Sequence, residues 1–232
     1  MRLARTWLPV AGAVLAVALI AALGWWGWDS WQTGRANQAS AAYDRGMEAL
    51  QGNNNAGAKA AFIEAADKGN GAYKSMALQQ QAGLAVTAGD IPGAIKLFDE
   101  AAKVAGDPIL ADPATLKAVY LLMDTGASLA DIEARLEPLI KEGRPLRAFA
   151  QEAQAMARLQ HGKIAESREI LVLLQLGQEV PDSVRERAQA AIGQIDSGTA
   201  ANLKPLGDAA GALPPQPAAP VQASPAAPAA GQ

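Results

Sequence analysis

The 232-residue chain has no cysteine. Its chemistry therefore includes no disulfide, no thiolate metal site, no Cys nucleophile and no lipidated Cys, a composition that suits an oxidising compartment. Histidine is almost as scarce. His161 is the only one, so neither a His pair for a metal nor a Cys–His couple can form. It immediately precedes Gly162 near an expected helix C-terminus, where a positive side chain is favoured. Gly162-Lys163 lacks the GxxxxGK[ST] frame of a phosphate loop. The carboxylates Asp99, Glu100, Glu133 and Glu137 fall where solvated helix faces are expected, and Asn53-Asn54-Asn55 suits a turn. The sequence thus reads as a non-enzyme with no catalytic, cofactor-binding or metal residues.

Aromatic residues are few outside a tryptophan group, with three Phe and three Tyr against abundant Ala. Such a composition favours closely packed helices over sheets. Clusters of positive charge are missing too. Taking Arg2 and Arg5 out of the net charge of −3 leaves −5 on the remainder. A mildly acidic module is a poor match for nucleic acid, and equally poor as a second electrostatic membrane contact.

What is present begins with 23 uncharged residues from Thr6 to Trp28. As a helix this run is roughly 34 Å long, enough for a hydrocarbon core of about 30 Å. Trp7 stands at one end and Trp25, Trp26, Trp28 and Trp31 at the other, as an interfacial aromatic belt requires. Arg2 and Arg5 precede the run, so the N-terminus is expected in the cytoplasm and the remainder outside. The parsing is a cytoplasmic segment 1–6, a transmembrane anchor 7–28, a helical domain 29–196 and a tail 197–232. A cleaved signal peptide is the competing reading and also exports the domain. Its small-x-small sites Ala11-Gly12-Ala13 and Ala16-Val17-Ala18 are buried in the run, and Ala39-Ser40-Ala41 lies far beyond it.

Asp29 to Gln51 contains no proline, so the anchor helix is expected to run on or to bend near Gly34. A repeat follows. Gly52, Gly89, Gly126 and Gly162 recur at intervals of 37, 37 and 36 residues. Nine or ten residues after each comes Phe62, Phe98, Leu136 or Leu171, and three further on Ala65, Ala101, Leu139 or Leu174. Such a glycine ends one helix, and the later pair lies on one face of the next. A period in the mid-thirties is that of tetratricopeptide-like repeats. The second copy is clearest, with Ala94, Phe98 and Ala101 at small–large–small spacing. The first has Gly46, Ala58, Phe62 and Ala65. In the third and fourth, Ile132 and Ser167 stand where the small residue belongs. The fold expected is all-α: an N-terminal membrane helix, then a solenoid of about four helical hairpins plus a capping helix, about nine helices beyond the anchor.

Local signals place the boundaries. Asp112-Pro113 reads as an N-cap followed by Pro at the first helical position, and Ser128 with Asp131 as a capping box. Pro181-Asp182-Ser183 starts a last amphipathic helix, Val184 to Ile195. Residues 213–232 hold six prolines and no charge, a tail that reads as disordered and partly polyproline.

The first helix of each hairpin should line a concave surface. In the usual register the second repeat contributes Met76, Gln79, Gly83, Val86 and Thr87, and the fourth Phe149, Glu152, Met156, Leu159 and Gln160. Such a groove could take an apolar peptide segment or a partner's helix; the competing reading is that these residues pack hairpin on hairpin.

An N-in anchor, a Trp-rich exit, Ala39-Ser40-Ala41-Ala42-Tyr43 and the repeats together resemble the ancillary SecYEG translocon subunit family of Gram-negative bacteria. The resemblance covers residues 8–196 and adds Tyr73, Ala77 and Leu78, and the hairpin from Ala155 through Gly162 to Ala165. It implies a single-pass inner-membrane protein whose periplasmic repeats bind near the SecYEG translocon. There it would work beside a membrane-anchored periplasmic chaperone of the peptidyl-prolyl isomerase type and receive exported polypeptides. The cytoplasmic segment is short for that family and the Pro/Ala tail is an addition. The alternative is an envelope adaptor that organises cell-wall or division machinery through the repeats and the tail.

Overall fold

A single helix, α1 (Arg2–Gln51), carries the chain from the uncharged run into the first repeat without a break at Gly34. The computed structural model describes residues 2–199, with side chains from residue 18 onward. Residues 6–17 of the uncharged run, Trp7 of the expected aromatic belt included, therefore lie outside the described side chains, and residues 200–232 of the expected tail outside the described residues altogether. Among the described residues, no helix is long and apolar enough to cross a membrane.

Eight helices follow: α2 (Asn55–Lys68), α3 (Gly71–Thr87), α4 (Ile91–Val104), α5 (Pro108–Asp124), α6 (Leu129–Leu136), α7 (Arg147–Gln160), α8 (Ile164–Leu176) and α9 (Asp182–Asp196). The described chain has no strand. Consecutive helices pack as hairpins, and the odd-numbered helices α1, α3, α5, α7 and α9 also touch in succession. They form one layer and α2, α4, α6 and α8 the other, the arrangement of a helical solenoid.

One turn is used five times. An N–H bonds a carbonyl five residues back at Asn54→Ala49 (2.8 Å), Asp90→Ala85 (2.9 Å), Ala127→Leu122 (3.1 Å), Lys163→Arg158 (2.9 Å) and Thr199→Gln194 (2.9 Å). This Schellman geometry needs a left-handed residue just before the donor. Gly89, Gly126, Gly162 and Gly198 supply it with φ between 72 and 78°, and at the first turn Asn53 (φ 55°) does so in place of Gly52. The donor often starts the next helix. Asn54 Oδ1 accepts from the Gly57 N–H and Asp90 Oδ1 from the Gly93 N–H, both at 2.9 Å. Ser128 Oγ accepts from the Asp131 N–H at 3.2 Å and donates to Asp131 Oδ2 at 2.6 Å, closing the expected capping box through side chains.

The residues at repeat spacing form the core. Ala58, Ala94, Ile132 and Ser167 are buried, as are Phe62, Phe98, Leu136 and Leu171 and the third set Ala65, Ala101, Leu139 and Leu174. The third copy departs in length. Pro138 cannot continue a helix, so α6 stops at Leu136 and Leu139 reaches the core from a turn, its N–H on the Leu136 carbonyl at 2.9 Å.

A correction concerns Asp112-Pro113. Helix α5 starts a turn and a half earlier, where Asp107 caps the Ile109 N–H at 2.8 Å and Pro108 takes the first helical position. Pro113 lies inside the helix, and Asp112 is fully buried and paired with Arg144.

Candidate functional site

The odd-numbered helices were expected to present a groove, and most of the residues assigned to it point inward instead. Met76 packs with Ala39, Tyr73, Ala105 and Leu110 where α1, α3 and α5 meet. Gln79 is buried and donates from Nε2 to Ser75 Oγ and the Leu110 carbonyl, both at 3.4 Å. Phe149 and Met156 belong to the core of the later repeats, with Leu159 packed against its edge. Glu152 is buried and grips Arg187 of α9. Of the residues assigned to the groove, Gly83, Val86, Thr87 and Gln160 are the ones that face solvent openly.

The solvent-facing end of α3 leads to a different concavity. Between the first turn of α2, the last turns of α3 and the middle of α4 lies a cleft of about 380 Å³ lined by Lys59, Gln81, Leu84, Thr87, Asp90 and Leu97, among others. Leu84 and Leu97 are half-buried and make its apolar walls. Its polar groups are partly committed. Gln81 Nε2 donates to the Phe62 carbonyl (3.1 Å), Thr87 Oγ1 to the Gly83 carbonyl (3.1 Å), and the Asp90 carboxylate caps α4. Lys59 stays exposed at the rim. An apolar floor with a few fixed polar groups can take a side chain or two of an extended segment. Thr87 is the one residue that belongs both to this cleft and to the face expected from sequence. The others were missed because they come from two hairpins, a juxtaposition with no local signature.

Charged groups inside the fold act as ties between elements. Arg187 Nε and Nη2 donate to Glu152 Oε1 and Oε2 at 2.6 and 2.7 Å, joining α7 to α9. Those hydrogen bonds hold the Arg187 guanidinium above its ordinary value, while burial and then the Glu152 charge push the nearby Tyr120 hydroxyl up. Arg135 of α6 pairs with Asp99 of α4, and Arg158 of α7 with Glu133 of α6 at 2.7 Å. Burial raises the Asp112 carboxyl, with the Arg144 hydrogen bonds opposing it. Lys117 is lowered by burial and lies 5.7 Å from the Phe98 ring centre. His161 sits at the end of α7 with Nδ1 2.8 Å from the Ala157 carbonyl and Nε2 3.2 Å from the Ala127 carbonyl, bridging two repeats. Among the described residues, no group of three or more His, Cys, Asp and Glu side chains could hold a metal ion.

Comparison with known proteins agrees with this geometry at the level of the repeat. A family model described as a tetratricopeptide repeat-like domain matches residues 5–169. No curated protein matches the chain, and neither does any solved structure.

Proposed function

Because the chain belongs to the tetratricopeptide repeat-like domain family, we propose that it is a non-enzymatic scaffold that holds partner proteins through its helical repeats. Domains of this kind are generally non-catalytic, and their repeats suggest protein–protein interaction. The observation that carries the reading is the cleft of about 380 Å³ between α2, α3 and α4, apolar at Leu84 and Leu97 and polar at its rim.

The finer reading adds place and partners. The uncharged run from Thr6 to Trp28 anchors the chain in the inner membrane with its N-terminus in the cytoplasm, and the repeats stand in the periplasm. There they work beside the SecYEG translocon and a membrane-anchored chaperone of the peptidyl-prolyl isomerase type, and receive exported polypeptides. What supports this is the length of the run, its Trp-rich exit and the order of motifs through residue 196. The mechanism is co-localisation: an anchor beside an exit site raises the effective concentration of the cleft for emerging segments.

Co-purification from gently solubilised membranes tests it, comparing the native chain, a chain with an unrelated anchor in place of residues 8–28, and Leu84→Glu. Translocon subunits should accompany the native chain, and Leu84→Glu should lose the chaperone or exported chains. If cell-wall or division proteins come down instead, the adaptor reading replaces the translocon one. If Leu84→Glu retains every partner, the cleft is not the binding site.

A further inference from the structure

Where α1 meets the α2–α3 turn, Trp31, Gln32, Arg35, Lys68 and Asn70 line a shallow basin of about 200 Å³. Arg35 lies over the Trp31 ring, its Cζ 5.0 Å from the ring centre. Its Nη2 donates to the Asp67 carbonyl at 2.7 Å and its Nε to the Lys68 carbonyl at 3.2 Å. Those bonds occupy the last carbonyls of α2, the acceptors that would otherwise repel an anion at a helix C-terminus. Asn70 Nδ2 is turned into the basin and meets Gln32 Oε1 at 3.3 Å. Neither Arg35 nor Lys68 pairs with a carboxylate among the described residues, as is also true of Lys59, Lys96, Lys103, Lys117, Lys141 and Arg147, but here the two lie together on one basin.

The second observation is register. Trp25, Trp26, Trp28 and Trp31 are 54–78 % exposed, four indoles on the stretch of α1 that leads into the basin. Arg35 follows Trp31 by one helical turn, about 6 Å along the axis, and Trp28, the end of the expected anchor, by about 10 Å. The headgroup layer beside a bilayer core is about 5–8 Å deep, so Trp31 stands within it and the basin at its outer edge. The unbroken helix and the Arg35 bonds to α2 fix the height of the basin relative to the indoles.

We propose that this basin binds the phosphate of a phospholipid headgroup, with Lys68 and the uncommitted N–H groups of Arg35 as donors. The proposal rests on the anchor reading above. It makes the turn between α2 and α3 the edge of the solenoid that faces the bilayer, and it favours an anionic phospholipid, because two cations face one phosphodiester. A lipid phosphate and free phosphate share this chemistry; the position of the basin beside the indoles selects the lipid.

The test uses the full chain in nanodiscs of phosphatidylcholine with phosphatidylglycerol. The absence of native Cys lets Asn70→Cys and Thr87→Cys each carry a single nitroxide. Relaxation of the label by nickel chelated to lipid headgroups should be strong at 70 and weak at 87. Phosphatidylglycerol retained on the detergent-purified chain, counted by native mass spectrometry, should fall about fivefold in Lys68→Glu and stay near wild type in Lys68→Arg. Unchanged retention in Lys68→Glu would overturn the site. Equal relaxation at 70 and 87, with Trp emission still quenched by doxyl lipid, would overturn the placement and leave the anchor standing. Absence of Trp quenching would remove the anchor and the proposal together. Millimolar inorganic phosphate added to the chain in maltoside detergent should leave Trp emission unchanged; a saturating response would assign the basin to a free anion.

Discussion

Arg187 of α9 holds both carboxylate oxygens of Glu152 of α7, at 2.6 and 2.7 Å, across a helix layer that α8 does not enter. Glu152 is 3 % exposed, so its charge has no other solvent. Removing Arg187 strands that charge. Arg187→Ala should destabilise the domain by about 2–4 kcal/mol, read from urea unfolding, at the lower end because the guanidinium side is partly hydrated. Replacing both residues with Met should recover most of the loss, because the stranded charge goes with its partner. A double variant as unstable as Arg187→Ala would contradict the account.

Ser167 is a fully buried residue whose hydroxyl has no hydrogen-bond partner, at the position where Ala58 and Ala94 stand in the first two repeats. An unpaired buried hydroxyl is a cost with no return. Ser167→Ala should stabilise the fold by about 1 kcal/mol, raising the urea midpoint without changing the slope. A lower midpoint would mean that the hydroxyl has a partner in solution.

Gly46 faces Phe62 so closely that a Cβ there would sit 2.5–2.8 Å from three ring atoms. Tyr43 blocks the ring from moving one way, its centre 5.5 Å from that of Phe62. Gly46→Ala should therefore cost about 1–3 kcal/mol by overpacking, despite the better helix propensity of Ala. The same change at Gly83, with nothing within 4 Å of the added carbon, should be neutral or stabilising. The contrast between the two midpoints is the measurement.

Two carboxylates give opposite acid responses. Burial raises the Asp112 carboxyl, so the folded state binds its proton more tightly than the unfolded state, and this group lowers stability as pH rises from the ordinary Asp range through its raised value. The hydrogen bonds from Arg168 lower the Asp196 carboxyl, so its contribution is present above the ordinary range and is lost as pH falls through the depressed value. Asp112→Asn should flatten the decline above the ordinary Asp range, and Asp196→Asn should soften the loss on its acid side. Unfolding curves measured at a series of pH values distinguish the two, and identical profiles for both variants would refute the assignment.

The repeat was legible because each turn needs a left-handed residue, and glycine at that place leaves a visible period. The same logic explains what was passed over. Asn53 tolerates that conformation, so the first turn is displaced one residue from Gly52. Gly198 continues the series 36 residues after Gly162, yet no large apolar residue follows it at the usual interval, and the fifth turn went unread. The segment GDPILADPAT offers Asp-Pro twice, five residues apart. Both are good helix starts locally, and only the distant Arg144 makes Asp112 an interior ion-pair partner. The binding face was the least legible part. Helix α3 is so rich in alanine that no one side stands out as apolar, so the sequence could not say which side turns inward; on α7 the stripe of Phe149, Ala153 and Met156 is clear, but it is core and not groove. The cleft joins residues from separate hairpins, which no spacing announces.

The unbroken α1 also bears on mechanics. A helix of 50 residues is a stiff rod of about 75 Å, and its outer half is structural timber of the first hairpin. With Arg35 bolting it to the end of α2, there is no swivel between shaft and head. Any twist or tilt imposed on the lower part of the rod is delivered to the repeats as a whole-body rotation. The cleft between α2, α3 and α4 would swing through an arc set by that lever, and a neighbour that grips the shaft would thereby aim the head.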